Sequence, residues 1–194
     1  MEPVDSIDYL ADAEPAPGRL ALVERFVNTV DLEHGREMLS EPERLRSILG
    51  LGRDVPVGAA DLRRALEVRE ALRSLALANN GGDADPEAPA VLERAAARGR
   101  LVVRFGVDGV ELSPSSPGVD GALADLVGIV YTATADGTWS RLKACRRDVC
   151  HWLFYDRSRN RSAVWCRMAV CGNRIKTRAY RERRATPRAR TGRR

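Results

Sequence analysis

No stretch of this chain approaches the roughly 18 consecutive apolar residues that a membrane-spanning helix requires. The opening MEPVDSIDYLADAEPAPGR is acidic and proline-bearing and has neither the basic nor the apolar region of a secretory signal, so a reducing cytoplasm is the expected compartment. Histidine is nearly missing: two in 194 residues, with only His34 in the first 144, where there is also no cysteine. That scarcity removes the usual metal donors and nucleophiles from most of the chain, and its carboxylates are scattered on helix faces where solvation accounts for them. C-x-x-C is missing as well, which speaks against dithiol redox chemistry. No enzyme activity is expected.

What is present is unevenly distributed. Residues 1–140 hold 14 Lys and Arg against 24 Asp and Glu, a net charge of −10, whereas residues 141–194 hold 18 against 3, a net of +15. All four cysteines lie in the basic segment. The division predicts two modules with different partners, the basic one seeking a polyanion.

The acidic part reads as mostly helical. Leu20, Val23, Val27 and Val30 recur at three- and four-residue intervals with Phe26 widening the stripe, which predicts one amphipathic helix. In SEPERLRSILG, Ser40 is placed to cap, Pro42 suits the first turn and Gly50 the left-handed stop. Asp61 is placed to cap a long helix with Leu62, Leu66, Leu72, Leu75 and Leu77 as its core side, and Pro86 opens another helix running to about Arg98. RLVVRFGVDGVELS predicts a small hairpin built from Leu101, Val103, Phe105, Val110 and Leu112. Leu123, Leu126, Val127, Val130 and Tyr131 return to helical spacing. Asn28 and Thr29 read as the polar flank of the first helix rather than as the lining of a ligand pocket.

Cys145, Cys150, Cys166 and Cys171 form the pattern C-x4-C-x15-C-x4-C. Zinc takes four thiolates tetrahedrally at about 2.3 Å, and a folded excursion of fifteen residues is long enough to bring two such pairs together. Within it, an aromatic run, a polar tip and a second apolar run predict a hairpin with Asp156–Ser162 as its loop, followed by a helix that begins at Cys171. A ligand pair on a turn, a hairpin and a ligand pair at a helix start resembles a treble-clef zinc finger, with one structural zinc ion and no open coordination position. His151, beside one ligand, is left out of the set. Trp139, Trp152, Phe154, Tyr155 and Trp165 are expected to form the finger's miniature core.

The stretch RLKACRRDVCHWLFYDRSRNRSAVWCRMAVCGNRIKTRAYRERR resembles the CGNR zinc finger, the tetrapeptide being Cys171, Gly172, Asn173 and Arg174. The acidic part resembles the ABATE domain through LALVERFVNTVD and VREALRSL. This resemblance implies an α+β protein: a flexible start over 1–18, a mostly helical domain with a small hairpin over 19–138, a treble-clef-like finger over 139–184 and a flexible basic tail over 185–194. It also implies a bacterial, nucleoid-associated transcription regulator with the finger as its DNA-binding part. Arg157, Arg159, Asn160 and Arg161 on the finger's loop, with Arg174, Lys176, Arg178 and Arg181 on the terminal helix, are the candidate nucleic-acid contacts. A helix about 10–12 Å across with basic flanks suits a major groove about 12 Å wide. RNA as partner, and docking of the finger on acidic protein such as its own body, stay open alongside DNA. A homodimer, and a small-molecule ligand of the helical domain, complete the expected partners.

Overall fold

The apolar stripe closes the first helix, α1 (Leu20–Val27), over a core in which Leu20, Val23, Phe26 and Val27 are all buried. The computed structural model describes residues 14–107, 109–174 and 177. The helix ends before Val30, which lies instead in a two-residue strand, β1 (Val30–Asp31), paired antiparallel with β2 (Arg36–Glu37). Helix α2 (Pro42–Leu49) has Pro42 in its first turn and stops at Gly50 with φ +67°, but its cap position belongs to Glu41 rather than Ser40.

Helix α3 (Ala59–Ala78) begins three residues earlier than a cap at Asp61 would place it. Asp61 is its third residue and accepts the Gly58 N–H at 2.8 Å, so Gly58 occupies the cap position. Its buried side is also different: Ala65, Val68, Ala71, Leu72 and Ala76 are buried, while Leu62, Leu66, Leu75 and Leu77 are only partly so. Helix α4 (Ala88–Arg98) starts after Pro86, with Pro89 in its first turn. Strands β3 (Leu101–Gly106) and β4 (Gly109–Pro114) form the expected hairpin, and α5 (Gly118–Ala135) packs against α1, α3, α4 and this hairpin. Val103, Phe105 and Val110 of the hairpin are nonetheless exposed, and so is Tyr131 of α5.

After a short 3-10 turn (Trp139–Arg141), β5 (Leu142–Ala144) pairs antiparallel with β6 (Leu153–Tyr155), Lys143 standing opposite Phe154. The finger's hairpin is therefore not the one expected. Its loop is the first cysteine pair, and residues 163–166 do not form a returning strand beside β6. The physical reason is burial: Leu142, Ala144 and Leu153 are fully covered and belong to the same core as Phe26 and Leu72. Pairing β6 with β5 places three apolar side chains against the helices, worth about 1.5–3 kcal/mol for each large one. Trp139 and Tyr155 join that core too, leaving Phe154, Trp152 and Trp165 around the cysteines.

Candidate metal centre and nucleic-acid interface

The first cysteine pair sits on a tight turn between β5 and β6. The Cys145 N–H donates to the Trp152 carbonyl at 2.9 Å, and both Cys150 and His151 donate to the Arg147 carbonyl. His151 takes φ +45°, a left-handed conformation in which its carbonyl accepts a bond from Arg73 of α3 at 3.0 Å. Burial, followed by the nearby Arg73 charge, pushes the His151 imidazole below its ordinary value. The second pair spans the entry to a helical turn (Met168–Gly172) wound in π fashion, with the Cys171 N–H bonded to the Arg167 carbonyl. Asn173, Arg174 and Thr177 continue as helix. A Cβ on Gly172 would overlap the Met168 sulfur and press to 3.2 Å on the Trp165 ring, so a side chain after the last cysteine would require Met168 to move aside.

The four sulfur atoms converge. All lie within 4.8 Å of one another, with Cys150 and Cys166 Sγ 3.7 Å apart and Cys166 and Cys171 Sγ 3.6 Å apart. A tetrahedron with metal–sulfur bonds of about 2.3 Å has edges of about 3.8 Å. The donor set therefore fits one structural zinc ion, held by Cys145, Cys150, Cys166 and Cys171, which supplies a covalent-strength cross-link and no reactive position. His151 is not in the cluster. Without the cation the sulfurs share protons. Hydrogen bonds, from Cys145 first and then Cys150 and Cys166, hold the Cys171 thiol below its ordinary value against the effect of burial, while Cys150 and Cys166 are pushed up, each first by its contact with Cys145.

Around this cluster the family models coincide with the geometry. The model described as CGNR zinc finger matches residues 141–184, and the ABATE model, described as "Putative stress-induced transcription regulator", matches residues 18–140. The chain belongs to the ABATE family. No functionally curated protein matches it.

In this ABATE protein the helical body grips the finger through side-chain amides, those of Asn28 and Asn80 buried and that of Asn79 partly so. Asn28 both donates to and accepts from the Leu153 backbone, at 3.0 and 2.8 Å, standing in for a neighbouring strand. Asn79 donates to the Trp139 and Leu142 carbonyls, and Asn80 to those of Ala144 and Val164. Thr29 is buried and takes a bond from Arg69, which is itself held by both oxygens of Glu37. Asn28 and Thr29 are thus neither a solvated flank nor a pocket lining. Asn28 belongs to the seam between body and finger, and Thr29 to the body's own buried polar network.

The nucleic-acid candidates fall into three groups. Arg159 and Asn160 are exposed at the loop tip. Arg157, Arg161 and Arg174 are partly engaged: Arg157 donates to the Pro15 carbonyl and lies 5.3 Å over the Tyr155 ring, Arg161 reaches Ser140, and Arg174 pairs with Glu33. Lys176, Arg178 and Arg181 lie outside the described residues.

Sequence reasoning passed over Lys143, Asp156, Arg147 and Glu33. Lys143 and Asp156 form a buried ion pair at 2.7 Å that shapes the loop: the ammonium also donates to the Arg161 and Ala163 carbonyls, and the carboxylate accepts from the Ser158 and Ala163 N–H groups. Burial alone would raise the Asp156 carboxyl, but Lys143 and Ser158 hold it below the usual carboxylate range. Strand alternation places Lys143 on the face away from that of Leu142 and Ala144, where a lysine is expected in solvent, yet it is buried there beneath the loop that Asp156 shapes. Nothing marked Glu33.

Proposed function

We propose that this chain is a cytoplasmic, nucleoid-associated DNA-binding transcription regulator in which a zinc-clasped finger carries the contact and the helical body serves sensing or dimerisation. The observation that carries the reading is the four-sulfur cluster at the root of the basic segment. It fixes the first residues of a helix whose following sequence is dense in arginine, on a module whose segment has a net charge of +15. Arg159 and Asn160 at the loop tip offer a second contact on the same module, one charge for phosphate and one amide for a base edge. The family description points to transcription, and among the described residues no helix is long and apolar enough to cross a membrane.

The test is salt-dependent binding of the zinc-loaded chain to duplex DNA and to structured RNA. If about five phosphates are neutralised, log affinity falls with log salt at a slope near −4.5 for duplex DNA. A flat dependence on both nucleic acids refutes the reading, and a clear preference for RNA replaces DNA as the target. A second reading, in which the body masks part of the finger, is supported by the Arg174–Glu33 pair.

A further inference from the structure

The chain enters α1 by way of the finger. Arg157, at the root of the finger's loop, donates to the Pro15 carbonyl at 2.6 Å and pairs with Glu14 at 3.0 Å, while its guanidinium lies 5.3 Å over the Tyr155 ring. The next residue is fixed from the other side: the Ala16 N–H donates to Glu24 of α1 at 2.6 Å, and the Ala16 side chain is buried in the main core. Burial pushes the Glu24 carboxyl up, opposed by that N–H and then by the Arg157 charge. Pro15 and Pro17 bias the residues before them toward extended backbone, and Gly18 with φ +56° turns the chain into the helix. Residues 14–18 are thus a strap whose outer end rests on a finger arginine. The charge upstream of it is of one sign: residues 1–14 hold Glu2, Asp5, Asp8, Asp12 and Glu14 and no lysine or arginine. The loop is the reverse. Arg157, Arg159 and Arg161 are exposed, and its one carboxylate, Asp156, is buried against Lys143.

We propose that residues 1–14 are an internal polyanion that occupies the finger's arginine loop and competes there with nucleic-acid phosphate. The competition rests on the nucleic-acid reading above; the contact itself does not. Three observations select this occupant. Its last residue, Glu14, is already seated on Arg157, with the backbone behind it pinned by Glu24 and the core. Its reach is ample: Arg159 and Arg161 lie at most about 7 and 14 Å of chain from Arg157, whereas residues 1–13, which lie outside the described residues, can span up to about 43 Å. Its charge is complementary to a loop that has no exposed carboxylate of its own. Exposed ion pairs are individually weak, but a segment tethered beside its site is present there at an effective concentration in the millimolar range, so several weak pairs form together. A free polyanion must displace the segment before it reaches the loop. The Glu33–Arg174 pair is separate, since it holds the start of the terminal helix and not the loop.

The test uses the zinc-loaded full chain carrying Glu2→Gln, Asp5→Asn, Asp8→Asn and Asp12→Asn together, which leaves the Glu14 anchor in place. In amide nitrogen–proton correlation spectra at about 0.1 M salt, the resonances of residues 157–161 are expected to differ between wild type and variant, and to converge as salt is raised. In anisotropy titrations at the same salt the variant is expected to bind duplex DNA roughly fivefold to twentyfold more tightly, the sum of two or three surface ion pairs that phosphate no longer has to displace. A second variant, neutralised in the same way at Asp54, Glu67, Asp83 and Glu93, all exposed on the body, removes equal charge elsewhere. It is expected to leave the loop resonances unmoved and to gain less than about twofold, because screening confines each charge to about 10 Å. Loop resonances unmoved in the first variant overturn the proposal whatever the DNA result, and so does an equal gain in both variants. Resonances that move with no gain in a chain that binds DNA overturn the competition. Resonances that move in a chain that binds neither DNA nor RNA uphold the contact and refute the nucleic-acid reading alone.

Discussion

Glu33 of the helical body grips Arg147 of the cysteine clasp through both carboxylate oxygens, each at 2.7 Å, while the same guanidinium points an N–H at Cys171 Sγ from 3.9 Å. Arg174, the last residue of the CGNR tetrapeptide, donates to Glu33 Oε1, one of the two oxygens that Arg147 engages. Hydrogen bonding from Arg147 holds the Glu33 carboxyl below its usual range despite burial, with Arg174 adding to the effect. One body carboxylate thus neutralises two finger arginines beside a centre that carries a formal −2 charge when four thiolates bind a divalent ion.

Glu33→Gln keeps the shape and removes the charge. The variant is expected to bind duplex DNA severalfold more tightly than the wild type, with a salt slope steeper by about one unit for each additional phosphate neutralised. Fluorescence anisotropy across a salt series reads both quantities. Affinity and slope equal to those of the wild type, at equal zinc content, would show that the Glu33 pair does not compete with phosphate.

Chelation should reach beyond the finger. Leu142, Ala144 and Leu153 share the main core, and Asn28, Asn79, Asn80 and Arg73 bond to the backbone around the clasp. Removing zinc is therefore expected to lower the melting temperature of the helical body in a single shared transition, followed by circular dichroism at a helix wavelength. A helical signal that melts at the same temperature with and without chelator, while the finger alone unravels, would mean that the two parts are energetically independent. Rebinding of zinc should also release protons, because the Cys150 and Cys166 thiols are pushed up in the metal-free cluster and must lose their protons to bind.

The cysteine spacing, the stop at Gly50 and the β3–β4 turn were legible because each depends on chemistry local to a few residues: ligand geometry, a left-handed φ and a short hairpin connection. The partner of β6 was not. Two candidate strands flanked it with similar propensity, and the choice was made by which pairing buries Leu142 and Leu153 under the distant helices. The same cause hid Arg69 and Arg73. A helix pattern assigns arginine to the wet face, yet both are 4% exposed, because Glu70 on the same helix and, from segments far apart in sequence, Glu37 and the carbonyls of Val27 and His151 supply partners. Asn28 gave no sign either, since an amide that replaces a strand looks, one residue at a time, like a helix end.

Asn80 offers the most economical probe of the seam. Its side-chain amide donates to two carbonyls, one in each half of the finger, and only 6% of the residue is exposed. Asn80→Ala removes both bonds, leaving the Val164 carbonyl only the Arg146 N–H at 3.1 Å, and is expected to cost about 1–3 kcal/mol. The loss should appear in urea denaturation of the zinc-loaded protein and in weaker retention of zinc against a competing chelator. A surface substitution such as Arg63→Ala serves as the control and should change neither, since such sites usually stay within about ±0.5 kcal/mol.

The Lys143–Asp156 pair makes a prediction about acid. Because the folded protein holds the Asp156 carboxyl below its unfolded value, its contribution to stability is fully present above the usual carboxylate range and is lost as pH falls through the depressed folded-state value. Glu33 and Glu37, held low first by Arg147 and, against opposing burial, by Arg69, lose their contributions in the same direction. Asp156→Asn strands a buried ammonium among the Arg161 and Ala163 carbonyls and is expected to cost about 3–5 kcal/mol near neutral pH. The double variant Lys143→Met with Asp156→Leu is expected to recover most of that loss, since a buried pair replaced by apolar side chains of similar volume is often neutral. Denaturation of the three proteins at several pH values checks the sign. The wild type should lose stability steeply below about pH 4, and the double variant should lose less. Equal acid profiles would show that the pair does not contribute to the pH dependence of folding.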